Sequence, residues 1–180
     1  MKEIILIALP TEAPSMKTWD NVFFTGVGKV NAAITASAVI QKYKPETVWN
    51  FGTAGGITPG LKGTVQMHNF VQRDMMCCEF GFNLGQTPFE EGVVLSIGEG
   101  YTCSTGDNFV SDPNLAIPAD VVDMEAYAIA KACQFHGVEF KCYKYISDSA
   151  DENANTEWHE TVANGEPDYI RIYRGDTDVV

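Results

Sequence analysis

The sequence predicts an α/β protein: a three-layer α/β/α arrangement around a central mixed, largely parallel sheet. Three observations carry this reading. Apolar runs recur at Ile4–Leu9, Thr47–Phe51 and Phe140–Ile146, as strands buried on both faces require. Helical patterns lie between them at Lys29–Tyr43 and Asp123–Phe135. Strands alternating with helices favour a parallel sheet covered by helices. The 180 residues are enough for one substantial core and show no linker, repeat or low-complexity tract, so a single domain over 1–180 is expected.

The elements follow in order. Ile4–Leu9 is ended by Pro10, and a loop with Thr11, Glu12 and Pro14 comes next. Val22–Thr25 is a second short strand. Gly26-Val27-Gly28 opens the helix Lys29–Tyr43, with Val30, Ala33, Ile34 and Ala38 on its expected apolar face and Pro45 as its stop. The strand Thr47–Phe51 runs into Gly52-Thr53-Ala54-Gly55-Gly56, a glycine-rich turn that either approaches a ligand or only reverses the chain. Gly63–Asp74 alternates like a longer strand. Residues 75–92 read as a loop with Phe80, Phe82 and Phe89. Val93–Ile97 and Tyr101–Ser104 are short strands, and Asp107 to Pro118 is irregular. In the helix Asp123–Phe135 the apolar face is Met124, Ala128, Ile129, Ala132 and Phe135, with Gly137 as the stop. Phe140–Ile146 is the last clear strand, and the pattern weakens beyond Asn155.

Composition narrows the function. A formal net charge of −12 argues against a nucleic-acid binder and disfavours anionic membranes. Five cysteines (Cys77, Cys78, Cys103, Cys133, Cys142), two of them adjacent, suit neither a disulfide framework nor a zinc pair, so reduced thiols are expected. Ile4–Leu9 is too short for a secretory core, and no run approaches the roughly 18 apolar residues of a membrane helix, so the expected location is cytoplasmic. His68, His136 and His159 are scattered, no metal site is expected, and no serine elbow is present.

The chemistry-bearing residues sit where strands end: Glu12, Gly52–Gly56, Asp107 and Asp148, with Met124-Glu125 opening a helix. In a parallel sheet, ligands bind at the carboxyl ends of strands. Asp148, closing the run Tyr145-Ile146-Ser147-Asp148, is the first candidate for a working acid, against the alternative that Ser147, Asp148 and Asp151 only turn the chain and cap a helix. Glu125 is either a helix-dipole acid or, between Met124 and Ala126, a buried carboxylate in need of hydroxyl partners. Gly26-Val27-Gly28-Lys29 lacks the spacing of a phosphate loop and is read as close helix–sheet packing.

Five stretches together resemble the nucleoside phosphorylase/nucleosidase superfamily: Thr25–Ala33 (TGVGKVNAA), Asn50–Gly56 (NFGTAGG), Ser104–Phe109 (STGDNF), Val122–Ala126 (VDMEA) and Ile146–Asp151 (ISDSAD). They occur in the family's order. Within it the chain is most similar to the 5′-methylthioadenosine/S-adenosylhomocysteine nucleosidases, through Ala8–Glu12 (ALPTE) and the aromatic loop Phe80–Pro88. Against that family a hairpin after the first strand and a helix before Val93 are missing, and Arg73-Asp74-Met75-Met76 replaces a more acidic stretch.

The resemblance implies hydrolysis of the N-glycosidic bond of a purine nucleoside, with no cofactor. Asp148 would be the general acid at the purine and Glu12 the water activator. Glu125 would bind the ribose hydroxyls, Met124 would pack on the sugar, Phe109 would stack on the base and the Val110 backbone would read its edge. Thr53 and Ser147 would be further binding residues. Phe80 and Pro88 would help wall the 5′ pocket of a neighbouring subunit, implying a homodimer. Asn50, where the phosphorylases place an arginine, favours water over phosphate as nucleophile. A phosphate-dependent purine nucleoside phosphorylase, a non-catalytic nucleoside-binding protein and a purely structural domain remain the alternatives.

Overall fold

The computed structural model describes residues 1–176; residues 177–180, the end of the expected single domain, lie outside the described residues. The chain runs β1 (Glu3–Ile7), β2 (Val22–Phe24), α1 (Lys29–Tyr43), β3 (Thr47–Gly56), β4 (Thr64–Gln72), β5 (Leu95–Ser96), β6 (Tyr101–Thr105), β7 (Val121–Asp123), α2 (Ala126–His136), β8 (Glu139–Asp148), α3 (Ala154–Thr161) and α4 (Glu166–Arg174). This is a mixed α/β fold.

Parallel pairing joins β1 to β2 and β3, β3 to β8, and β6 to β4 and β7; β3–β7, β4–β5 and β4–β8 are antiparallel. The sheet closes on itself through β3–β8–β4–β6–β7 and back to β3. The sheet is thus a closed ring where a layer between two sets of helices was expected, although β1, β3 and β8 carry apolar side chains on both faces. There Ile4, Leu6 and Val48 join a core with α1 and α2. Ile5, Ile7, Trp49 and Phe51 face the other way, against Tyr169 and Ile172 of α4. Alternate residues of a strand point to opposite faces, so each of these runs serves two cores, which is why the sequence shows them as continuous apolar stretches.

Several local expectations change. Gly52–Gly56 is no turn: it continues β3, and its glycines serve close approach. A Cβ on Gly55 would lie 2.8 Å from Asp148 Oδ1 and 3.0 Å from both Ala150 Cβ and Val122 Cγ2. On α1 the buried face is Ala32, Ala36, Val39 and Ile40, whereas Val30 and Ile34 are 68% and 64% exposed. Small alanines bring α1 close to α2, and the bulkier residues are left outside. On α2, Phe135 is likewise exposed and Cys133 buried. The helix starts at Ala126, because Val121–Asp123 pairs with β3 and β6 as β7. Two helices, α3 and α4, occupy the stretch beyond Asn153 where the apolar pattern fades.

Candidate active site

The strand ends gather around one cavity of about 200 Å³. Glu12, Thr53, Phe109, Val110, Met124, Glu125, Ser147 and Asp148 all line it. Phe80 and Pro88 do not, and Phe80 is 81% exposed in the 75–92 loop. Asp107 also stands off the cavity: its carboxylate accepts the Lys29 N–H at 2.7 Å, tying the 107 loop to the start of α1.

Glu12 is buried although it lies in a loop. The loop turns back so that Glu12 N–H donates to Leu9 O, while Glu12 Oε2 accepts the Leu9 N–H at 2.9 Å. Its Oε1 accepts both the Thr53 N–H and the Thr53 hydroxyl, each at 2.9 Å. Gly52 leaves room for this, since a Cβ there would come within 3.3 Å of Oε1.

Asp148 ends β8 just past an irregularity in the β3–β8 register, where Ile146 pairs with Ala54 and Asp148 with Gly55. Ser147 is the extra residue, and a bulge of this kind re-aims the side chain after it. Asp148 Oδ2 accepts the Ser147 hydroxyl at 2.7 Å and Oδ1 accepts the Ala150 N–H at 2.9 Å. Ala150 adopts the left-handed conformation (φ 52°) to present that N–H, a strained geometry of the sort held at functional sites. Burial raises the Asp148 pKa above the ordinary carboxylate value; Ser147 and Ala150 oppose the rise and Glu157 and Asp151 add to it.

Glu125 caps the start of α2, and its Oε1 accepts the Gly28 N–H at 2.9 Å. Burial, then the neighbouring Asp123, pushes its pKa up to about 7. The glycines of Gly26-Val27-Gly28 have φ of 78° and 94°; at Gly28 that backbone aims an N–H at the carboxylate, a use beyond the packing expected for it.

Sequence reasoning missed the charges beneath the cavity. Lys144 of β8 and Asp123 of β7 meet across the closed ring as a fully buried pair at 2.9 Å. Asp123 also accepts the Thr105 hydroxyl at 2.6 Å and the Ala126 N–H at 2.8 Å. Burial opposes the Lys144 charge, but Asp123 together with Cys142, Cys103 and Glu125 outweighs it, so the ammonium is held well above its usual pKa. A signal was present: Phe140, Cys142 and Lys144 share one phase of a two-residue period, which places a lysine among buried positions. Arg73, also on the cavity wall, donates from Nη1 to Ser104 O and Asp123 O (2.5 and 2.8 Å) and from Nη2 to Gly106 O and Asn108 O (3.2 and 2.6 Å). Its guanidinium thus fastens the loop that carries Phe109. Asn155 and Trp158 of α3 complete the lining; no apolar period announces that helix. Asp151 accepts the Asn153 N–H at 2.8 Å and turns the chain before α3, whose N-cap is Asn153.

Among the described residues no group of three or more His, Cys, Asp or Glu is placed to hold a metal ion. No helix there is long and apolar enough to cross a membrane.

The phosphorylase superfamily model matches residues 21–91 and 67–171. A 5′-methylthioadenosine/S-adenosylhomocysteine nucleosidase of Exiguobacterium is 36% identical over 166 residues, covering 76% of this chain and 70% of that protein. One from Haemophilus influenzae is 34% identical over 163 residues, covering 76% and 71%. Among solved structures, the Neisseria meningitidis nucleosidase of that name in complex with methylthio-immucillin-A superposes with a TM-score of 0.82 at 25% identity, covering 93% and 94% of the two chains. The Helicobacter pylori one shares the fold, with a TM-score of 0.89 at 20% identity over 97% of each chain. With the expected strand-end motifs gathered at one cavity, and with a family match running through nearly all of them, this chain belongs to the phosphorylase superfamily.

Proposed function

We propose that the chain is a single-domain nucleosidase that hydrolyses the N-glycosidic bond of 5′-methylthioadenosine or S-adenosylhomocysteine and releases adenine. The observation that carries this reading is the convergence of Glu12, Glu125 and Asp148 on one cavity. The purine nitrogen leaves poorly as an anion, so an acid must protonate the base as the bond breaks. Asp148 takes that role: burial favours its protonated form, and Ser147 and the Ala150 N–H fix its orientation. Glu12 takes the attacking water. Its Oε1 is occupied by Thr53, and Oε2, accepting the Leu9 N–H, keeps lone-pair capacity for a water. Glu125 accepts from the ribose hydroxyls; bonds that tighten as the ring gains positive charge accelerate the step. Phe109 stacks on the base, Val110 backbone reads its edge, and Met124 packs on the sugar.

Water is favoured over phosphate by the state of the cations. Arg73 commits both terminal nitrogens to backbone carbonyls, and Lys144 is paired with Asp123. The Arg73 Nε has no partner among the described residues but is buried, and Lys144 does not line the cavity, so neither presents a free donor there to a phosphate dianion. Phe80 and Pro88 fit a second role, closing the 5′ end of a partner's cavity in a homodimer. The exposed Val30, Ile34, Phe80 and Phe89 supply apolar surface for such an interface. Five free cysteines suit a cytoplasmic setting.

The test is incubation with methylthioadenosine, S-adenosylhomocysteine, adenosine and inosine, with and without phosphate, followed by chromatography for free base. Adenine release from the thio-substituted substrates, indifferent to phosphate, is the expected result. Tight binding with no release contradicts the reading in favour of an idle binding protein.

A further inference from the structure

Trp158 sits on α3, 105 residues from the strand it touches, and its indole Nε1–H donates to Thr53 Oγ1 at 3.0 Å. The same hydroxyl lies 2.9 Å from Glu12 Oε1. An indole N–H can donate but never accept, and a threonine hydroxyl has one proton to give. The Trp158 bond therefore fills an acceptor site of Thr53 and leaves the hydroxyl proton pointed at Glu12. The Thr53 N–H, 2.9 Å from the same oxygen, adds a second donor. From these contacts we propose that Trp158 is a positioning residue for Glu12: it fixes the Thr53 hydroxyl as a donor, so that Glu12 Oε1 is locked and Oε2 is left to hold the attacking water.

The same contact couples the site to the seating of α3. That helix is attached to the end of β8 by Thr161, whose hydroxyl donates to Ser147 O at 2.8 Å, and by Glu157, which accepts the Ser149 N–H at 3.2 Å. Those two anchors flank Asp148 in sequence. One short helix thus supports the acid on one side of the cavity and, through Trp158 and Thr53, the water-holding carboxylate on the other. Trp158 acts through Thr53 and is not itself a catalytic residue.

The inference rests on the proposed nucleosidase reading, and Trp158→Phe tests it by keeping an aromatic ring in place while removing the N–H. The expected result is a fall in kcat of about tenfold with KM little changed. Thr53→Val should lower kcat as well, and adding Trp158→Phe to it should cost nothing further, because the bond it removes is already gone. Wild-type kcat in Trp158→Phe overturns the inference. So does an equal drop in both backgrounds, since that marks packing alone. A second readout needs no turnover: the Trp158 indole N–H resonance, assigned by its loss in Trp158→Phe, should shift in Thr53→Val, and an unmoved resonance also refutes the contact. If the wild type releases no base, the nucleosidase reading fails, while the resonance still reports on the hydrogen bond.

Discussion

The strand-end cavity and the 75–92 loop are built on different principles. At the cavity each carboxylate is held by atoms of its own chain: Glu12 by Leu9 and Thr53, Asp148 by Ser147 and Ala150, Glu125 by Gly28. The loop is pinned at Thr87, which accepts from Gln72 Nε2, and at Glu90, which pairs with Lys131 of α2, but it leaves Phe80 and Phe89 in solvent. The three carboxylates therefore take fixed directions from contacts within one chain. The aromatic loop carries apolar surface with nothing of its own chain to cover it, which suits work done against another molecule.

This contrast predicts that cavity substitutions act on kcat and loop substitutions act on KM and on protein concentration. The largest effect is expected for Asp148→Asn, a loss of roughly 10²–10⁴-fold in kcat with nucleoside affinity largely kept, measured by adenine release and by calorimetric titration. Near-normal kcat in that variant removes the proposed acid.

Lys144→Met should come next, as a stability effect. It strands Asp123 without its buried partner, at a cost of about 3–5 kcal/mol in denaturant unfolding. A stability unchanged from wild type would mean that water replaces the ammonium.

Glu125 supplies the pH dependence. Its folded pKa of about 7 lies above its ordinary value, so the folded state binds a proton more tightly than the unfolded chain. The stability this contributes is present below the unfolded pKa and is lost as pH rises through about 7. Ligand binding runs the other way. The ionised form accepts from two ribose hydroxyls, so affinity should weaken as pH falls through about 7, and Glu125→Gln should flatten that dependence. Glu125→Gln should also affect 2′-deoxynucleosides less than ribonucleosides; equal losses speak against the ribose role.

The smallest effect belongs to the loop. Phe80→Ala should raise KM about tenfold, the value of one partly buried ring, with kcat retained. Mixing it with Asp148→Asn should restore low-KM turnover in mixed dimers, whose intact cavity meets an intact loop. No gain on mixing argues for a loop that serves only its own chain.

The same contrast explains how much was legible in the sequence. Asp148 and Glu12 could be singled out because acids follow apolar runs there, and Glu125 because it opens a helix between apolar neighbours; the resemblance supplied the roles expected of them. The closure of the sheet was not legible. It depends on β7, only three residues long, and on glycines of β3 that read as a turn because the pattern carries no information about what lies across from them. The face of α1 was misread because its alanines bury themselves by being small, so hydrophobic weight pointed to Val30 and Ile34 instead. Trp158 was missed for a third reason: its helix is short and mostly polar, and its place is set by hydrogen bonds to β8 that leave no period behind.

The central claim is that three carboxyl groups around one purine riboside let water displace the base. Its most direct test is the identity of the sugar product when methylthioadenosine is turned over with inorganic phosphate in excess. The account predicts adenine and free methylthioribose in equal amounts, at a rate that phosphate does not change. Methylthioribose 1-phosphate, formed at a rate that rises with phosphate, would contradict it.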